Sequence, residues 1–173
     1  MKKIIITTIL ITGSMFADGI SIWGQKKGVA PVTDKFYIAE CASCHFAYQP
    51  GLLPSRSWRK IMENLSDHFN TDASLNPKDN QIILKYLVAN SAEKFTNYKR
   101  SKKINNSIAK NKTPIAISKT PYFIKEHREI PAKLIKQKEV SSIANCKACH
   151  TTAEKGIYSE KAIKIPNYGQ WHD

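Results

Sequence analysis

Long apolar runs are almost absent from this 173-residue chain. The one such run, from Ile4 to Ile11, is well short of the ~20 residues that a membrane-spanning helix needs, and no later segment is long or apolar enough to enter a bilayer. Acidic residues are also scarce, 14 against 27 lysines and arginines, for a formal charge of +13. That balance invites an acidic partner. No recognition motif accompanies the charge to suggest nucleic acid. Cysteine is rarer still, with four in all, and histidine numbers five, so any chemistry built on sulfur or imidazole draws on very few side chains.

All four cysteines fall in two copies of one pentapeptide, Cys41-Ala42-Ser43-Cys44-His45 and Cys146-Lys147-Ala148-Cys149-His150. Cys-x-x-Cys-His reads as covalent attachment of a c-type haem. Two thiols spaced by two residues can each add to a haem vinyl group, and the histidine that follows is carried beneath the ring as an iron ligand. Three plainer readings explain less. The halves of a four-cysteine zinc site usually lie ~15 to 20 residues apart, whereas about a hundred residues separate Cys44 from Cys146. A thioredoxin-like motif needs one Cys-x-x-Cys beside a βαβ pattern, and a structural disulfide leaves both histidines unexplained.

The amino terminus has a secretory layout: Lys2 and Lys3, the short apolar run, then small residues to Ala17. Residues 1–17 are therefore expected to be a signal peptide, and periplasmic export suits the assembly of c-type haem. The charge then falls to +11, and to about +7 if four haem propionates are ionised. Expected divisions of the mature chain are an N-terminal haem lobe over 18–95, a basic polar linker over 96–119 and a C-terminal haem lobe over 120–173. Alternatively, 18–173 forms one compact dihaem domain. The expected class is mainly α, a small cytochrome c-like helical protein with long irregular loops and helices packed on porphyrin faces.

Thr33 or Asp34 is placed to cap a short helix leading into the first motif. Trp58, Ile61, Met62, Leu65 and Phe69 then make an apolar stripe at helical spacing from Ser57, with His68 at its border. Asn76 and Pro77 have cap and first-turn chemistry for a helix to about Lys94, with Ile82, Ile83, Tyr86 and Leu87 inside. From Asn97 to Lys119 the chain holds seven lysines and arginines and no acid, which reads as a solvated linker. Thr120 and Pro121 restart a helix that carries Phe123, Ile124 and His127 and stops before Pro131, and a further short helix from Ser141 or Ser142 carries the second motif.

With His45 and His150 as proximal ligands, His68, His127 and His172 remain for the far sides of two irons. His172 is penultimate, where fraying is the default, so His68 and His127 are the expected distal ligands. Met62 reads as core packing and not as a thioether ligand. Chain proximity pairs His45 with His68 and His150 with His127, with crossed pairing left open.

The run ECASCHFAYQPGLLPSRSW from Glu40 to Trp58, with Asp67-His68-Phe69, TPYFI over 120–124 and REIP over 128–131, resembles the bacterial dihaem cytochrome c family called DHC. The resemblance extends from about Phe36 through Pro166. It implies a periplasmic carrier with two covalent, low-potential, bis-histidine haems, held by Cys41, Cys44, Cys146 and Cys149, with His45, His68, His127 and His150 on iron. Implied partners are redox proteins, namely an acidic or high-spin monohaem cytochrome and a membrane cytochrome b. Asn70 departs from the family's pattern, which suggests glycine after His-Phe. The rival expectation is a haem enzyme, peroxidase-like or thiosulfate-oxidising, which requires one open iron position.

Overall fold

A computed structural model describes residues 25–171. The expected signal peptide and His172 lie outside the described residues. Seven α-helices occur among them: α1 Lys35–Cys41, α2 Ser55–Met62, α3 Pro77–Ala89, α4 Lys99–Ser107, α5 Pro121–His127, α6 Ala132–Lys136 and α7 Cys146–Cys149. A two-stranded antiparallel ribbon, β1 Lys164–Ile165 with β2 Gly169–Gln170, closes the tail. The protein is mainly helical, as its patterning suggests.

Caps set several of these boundaries. Asp34 accepts from the Tyr37 amide at 2.8 Å and starts α1. Asn76 starts α3 ahead of Pro77, and Thr120 Oγ1 starts α5 by accepting from the Phe123 amide. Helix α2 begins two residues before the expected Ser57. The Glu93 carboxylate accepts from the Ser55 amide at 2.9 Å, and this long-range cap is invisible to local reading. Helix α3 stops at Ala89 rather than near Lys94, because the Asn90 side chain and the Ser91 hydroxyl donate to the Tyr86 and Val88 carbonyls. On that helix Ile83 and Leu87 are buried, but Ile82 is exposed.

Two apolar clusters organise the interior among the described residues. The first joins Tyr37, Leu53, Trp58, Met62, Ile83 and Leu87, which places Met62 in packing contact with α3. The second gathers Val29, Leu52, Ile104, Ile108, Ala153 and Tyr158 from both ends of the chain. Ile104 and Ile108 belong to the stretch expected as a solvated linker. In the structure its first part forms α4, with Ser101 and Ile104 buried, and Ile108 is buried just past the helix end. Two isoleucines four residues apart suffice for a buried seam even among lysines. The backbone adds to this: Lys26 donates to Asn97, and the Lys99 and Arg100 amides donate to Lys26 and Gly28. Gly28 and Gly156 allow their two segments to cross closely. Both have positive φ, and a Cβ on Gly28 would lie 2.1 Å from the Gly156 carbonyl oxygen.

Gln49 fastens the N-terminal and C-terminal halves together. Fully buried, it donates from Nε2 to the Ala153 carbonyl at 2.7 Å and accepts from the Tyr158 hydroxyl at 2.6 Å. Gln49→Ala should destabilise the protein by about 3 kcal/mol, since a buried carbonyl and a buried hydroxyl lose their partners together. Thermal unfolding of the variant beside Gln49→Glu reads this. Unchanged melting in Gln49→Ala would remove the fastening role.

Candidate functional site

The first pentapeptide straddles the end of α1. Cys41 closes the helix, and the following turn carries Cys44 and His45. Opposite stands His68, although the expected helix from Ser57 to Phe69 does not reach it. Helix α2 ends at Met62, and a 3-10 turn over Leu65–Asp67 delivers His68 into a tight reversal. The His68 amide donates to the Thr71 carbonyl at 2.8 Å, and the Thr71 amide returns a bond at 3.2 Å. Phe69 and Asn70 between them both have positive φ, 55° and 65°. Glycine suits such positions and asparagine tolerates them, so Asn70 can stand where the family's pattern suggests glycine. Phe69, expected on the apolar stripe, is instead exposed, with its ring edge-on to His68 at 4.9 Å.

The second pentapeptide is a single helical turn. Ser141 has φ 57°, so no helix begins there. Instead α7 starts at Cys146 and ends with the His150 amide donating to the Cys146 carbonyl at 2.7 Å. His127, the last residue of α5, faces His150 across a cleft of about 350 Å³ walled by Leu52, Ile104, Val140, Tyr158 and Ile163. Cys146 and Cys149 open onto the same cleft.

The imidazoles therefore come together as His45 with His68, ring centroids 6.2 Å apart, and His127 with His150, 6.1 Å apart. Two imidazoles on opposite sides of one metal, each nitrogen at about 2 Å, have centroids roughly 6 Å apart. Both gaps fit one metal ion. Tautomers agree at two of the four rings. Nδ1 of His45 lies 2.8 Å from the Phe46 carbonyl, and Nδ1 of His127 lies 2.8 Å from the Phe123 carbonyl. A carbonyl can only accept, so each proton sits on Nδ1 and Nε2 keeps its lone pair for a metal. Phe123 also stacks on His127 at 3.8 Å, which fixes the ring. His150 Nδ1 is buried without a protein partner.

Burial sets the charge states. It pushes His150 down to about 4, helped by His127 and the Arg100 guanidinium, and it lowers His68 and His127 as well. Neutral imidazole is the ligating form. Burial pushes the Cys41 and Cys146 thiols up to about 11, so they are held as thiols. All four cysteines are free, and among the described residues no three or more metal-binding side chains cluster as a zinc site would require. Free thiol pairs beside facing imidazoles, one pair on an apolar cleft, suit a large flat apolar group attached through sulfur.

Three aromatic and polar side chains that the sequence does not single out complete the arrangement. Tyr48 lies against His45 at 4.7 Å and donates from its hydroxyl to the Ala144 carbonyl at 2.8 Å, two residues from Cys146. Tyr158 meets the His150 ring edge-on at 5.4 Å. Arg100 lines the cleft from α4. Only the position of Tyr48, three residues after His45, was a usable signal.

The family model for dihaem cytochrome c, DHC, matches residues 37–158. A diheme cytochrome c from Shewanella baltica OS155, known from an X-ray structure, is 36% identical, with 80% of this chain and 97% of that chain covered at a TM-score of 0.65. The diheme cytochrome c from Rhodobacter sphaeroides is 37% identical, with 75% and 100% covered at a TM-score of 0.66. No curated protein sequence gives a significant match. A match spanning most of the described residues, joined to this similarity in sequence and shape over nearly the whole of two solved relatives, makes the chain a member of the dihaem cytochrome c family, a protein of haem-based electron transfer that binds two c-type haems.

Proposed function

We propose that this chain is a periplasmic one-electron carrier in which both irons are closed by two histidines, with no substrate position left open. Cys41 and Cys44 would hold one haem, with His45 and His68 offering imidazole nitrogens to its iron. Cys146 and Cys149 would hold the other, between His150 and His127. The observation that carries this reading is the pair of imidazole separations, 6.2 and 6.1 Å. When bound, each haem supplies a one-electron couple whose potential the two imidazoles keep lower than a methionine ligand would.

The remaining work belongs to the polypeptide. Carbonyls of Phe46 and Phe123 orient two of the imidazoles, and Leu52, Ile104 and Val140 give the second cleft apolar walls. Tyr48 bridges from His45 to the Ala144 carbonyl, two residues from Cys146, and so ties the two centres together. No acid or base step is required, and the haem-enzyme alternative lacks its open position. The secretory layout of residues 1–17 supports the periplasmic address, and the excess of lysine favours an acidic redox partner such as a monohaem cytochrome, with a membrane cytochrome b as the other. Among the described residues no helix is long and apolar enough to cross a membrane.

Carbon monoxide tests the ligation. The reduced protein should leave the gas unbound on mixing, with an unchanged Soret band. Rapid uptake at either centre would reveal an exchangeable ligand and return the enzyme reading.

A further inference from the structure

Arg100 belongs to the basic stretch, yet its guanidinium turns inward. Its amide is tied to the Gly28 carbonyl at 3.1 Å. Nη1 donates to the Tyr122 hydroxyl at 3.0 Å and Nη2 to the Tyr158 carbonyl at 2.7 Å. The cation also faces both tyrosine rings, at 5.7 and 5.5 Å. Its Nε is buried and has no hydrogen-bond partner. The ion pairs among the described residues are Lys60–Glu63, Arg128–Glu129 and Lys147–Glu154, so no carboxylate of these residues lies within 4.0 Å of this guanidinium. Glu126, Glu129 and Glu160 line the same cleft, with Lys125, but none closes on Arg100.

A guanidinium held on both flanks with its buried Nε–H empty is incomplete, because an unpaired donor on a buried charge is strongly unfavourable. The natural complement to its planar fork is a carboxylate. We infer that Arg100 is the counter-ion of a propionate of the haem in the His127–His150 cleft, and that its charge sets this haem's potential apart from that of the other. The inference rests on the proposed haem position between those two histidines. A fixed cation beside a redox centre favours the form that has gained an electron.

Redox titration of the holoprotein tests it with Arg100→Gln and Arg100→Lys. R100Q should lower the midpoint of the haem that also responds to His127→Met, by about tenfold in its reduction equilibrium, or about 59 mV for one electron. R100K, which retains the charge, should stay close to the unsubstituted protein, and the other haem should not move. No shift in R100Q, an equal fall in R100K, or a shift at the other haem overturns the assignment. If R100Q does not accumulate, the propionate bending mode in the resonance Raman spectrum of R100K decides. The mode moves when a point charge replaces the fork, and an unmoved mode overturns the pairing. Failure of the bis-histidine reading itself is registered separately, in the electron paramagnetic resonance spectrum of the unsubstituted oxidised protein, as a high-spin signal or as a low-spin signal unlike that of iron between two imidazoles.

Discussion

His127→Met should raise the midpoint potential of one haem by on the order of 0.1 V while the other stays in place, because a thioether opposite histidine stabilises reduced iron relative to a second imidazole. The size of the effect follows from how thoroughly His127 is prepared for ligation. Its Nδ1 proton is spent on the Phe123 carbonyl, its ring is stacked on Phe123, and burial keeps it neutral. Methionine at the same place, the last position of α5, keeps the reach into the cleft but offers neither the nitrogen lone pair nor the hydrogen bond. His68→Met should move the other wave. Redox titration resolves the two waves, and low-temperature electron paramagnetic resonance should show one altered low-spin signal in each variant. If neither variant changes either observable, the distal assignments are wrong.

The second large effect is expected from Cys146→Ser combined with Cys149→Ser. Without its covalent links, the haem of the second centre is held by imidazole alone and should be lost during maturation. Its site is a cleft of about 350 Å³, and at about 24 cal/mol per Å³ an unfilled apolar space of that size costs about 8 kcal/mol, an upper figure because the cleft is open to solvent. That is comparable with the whole stability of a small domain, about 5–15 kcal/mol. The double variant should carry one haem per chain and lose the packing around Tyr158, Ile104 and Val140, whose side chains wall the cleft. Haem content and far-ultraviolet circular dichroism report both. Full helicity and an unshifted melting temperature in a one-haem protein would show that the cleft stands without its occupant.

Much of the local architecture was legible in the chain. Asp34, Asn76-Pro77 and Thr120-Pro121 announce helix starts because a cap acts on amides only two or three residues away. The pentapeptides were legible for the same reason: their chemistry is complete within five consecutive residues. Where the reading ran past that range it met competing contacts. The apolar stripe from Trp58 to Phe69 has helical spacing, but the chain breaks at Met62 and reverses at Phe69-Asn70, which brings His68 round toward His45. The lysines of the 97–119 stretch hid the Ile104–Ile108 seam, since charge counts outweigh two apolar residues in any local average.

From the sequence alone came the number of haems, the candidate attachment cysteines and the candidate histidine ligands, all from residue identity and short spacing. Only the tertiary structure decided which imidazole faces which, that Gln49 and Tyr48 tie the two motif-bearing halves together, and that one arginine among many cations points inward with an empty donor. Those outcomes join residues separated by 22 to 109 positions, and such contacts arise when the apolar clusters close long loops, a step that no local pattern encodes.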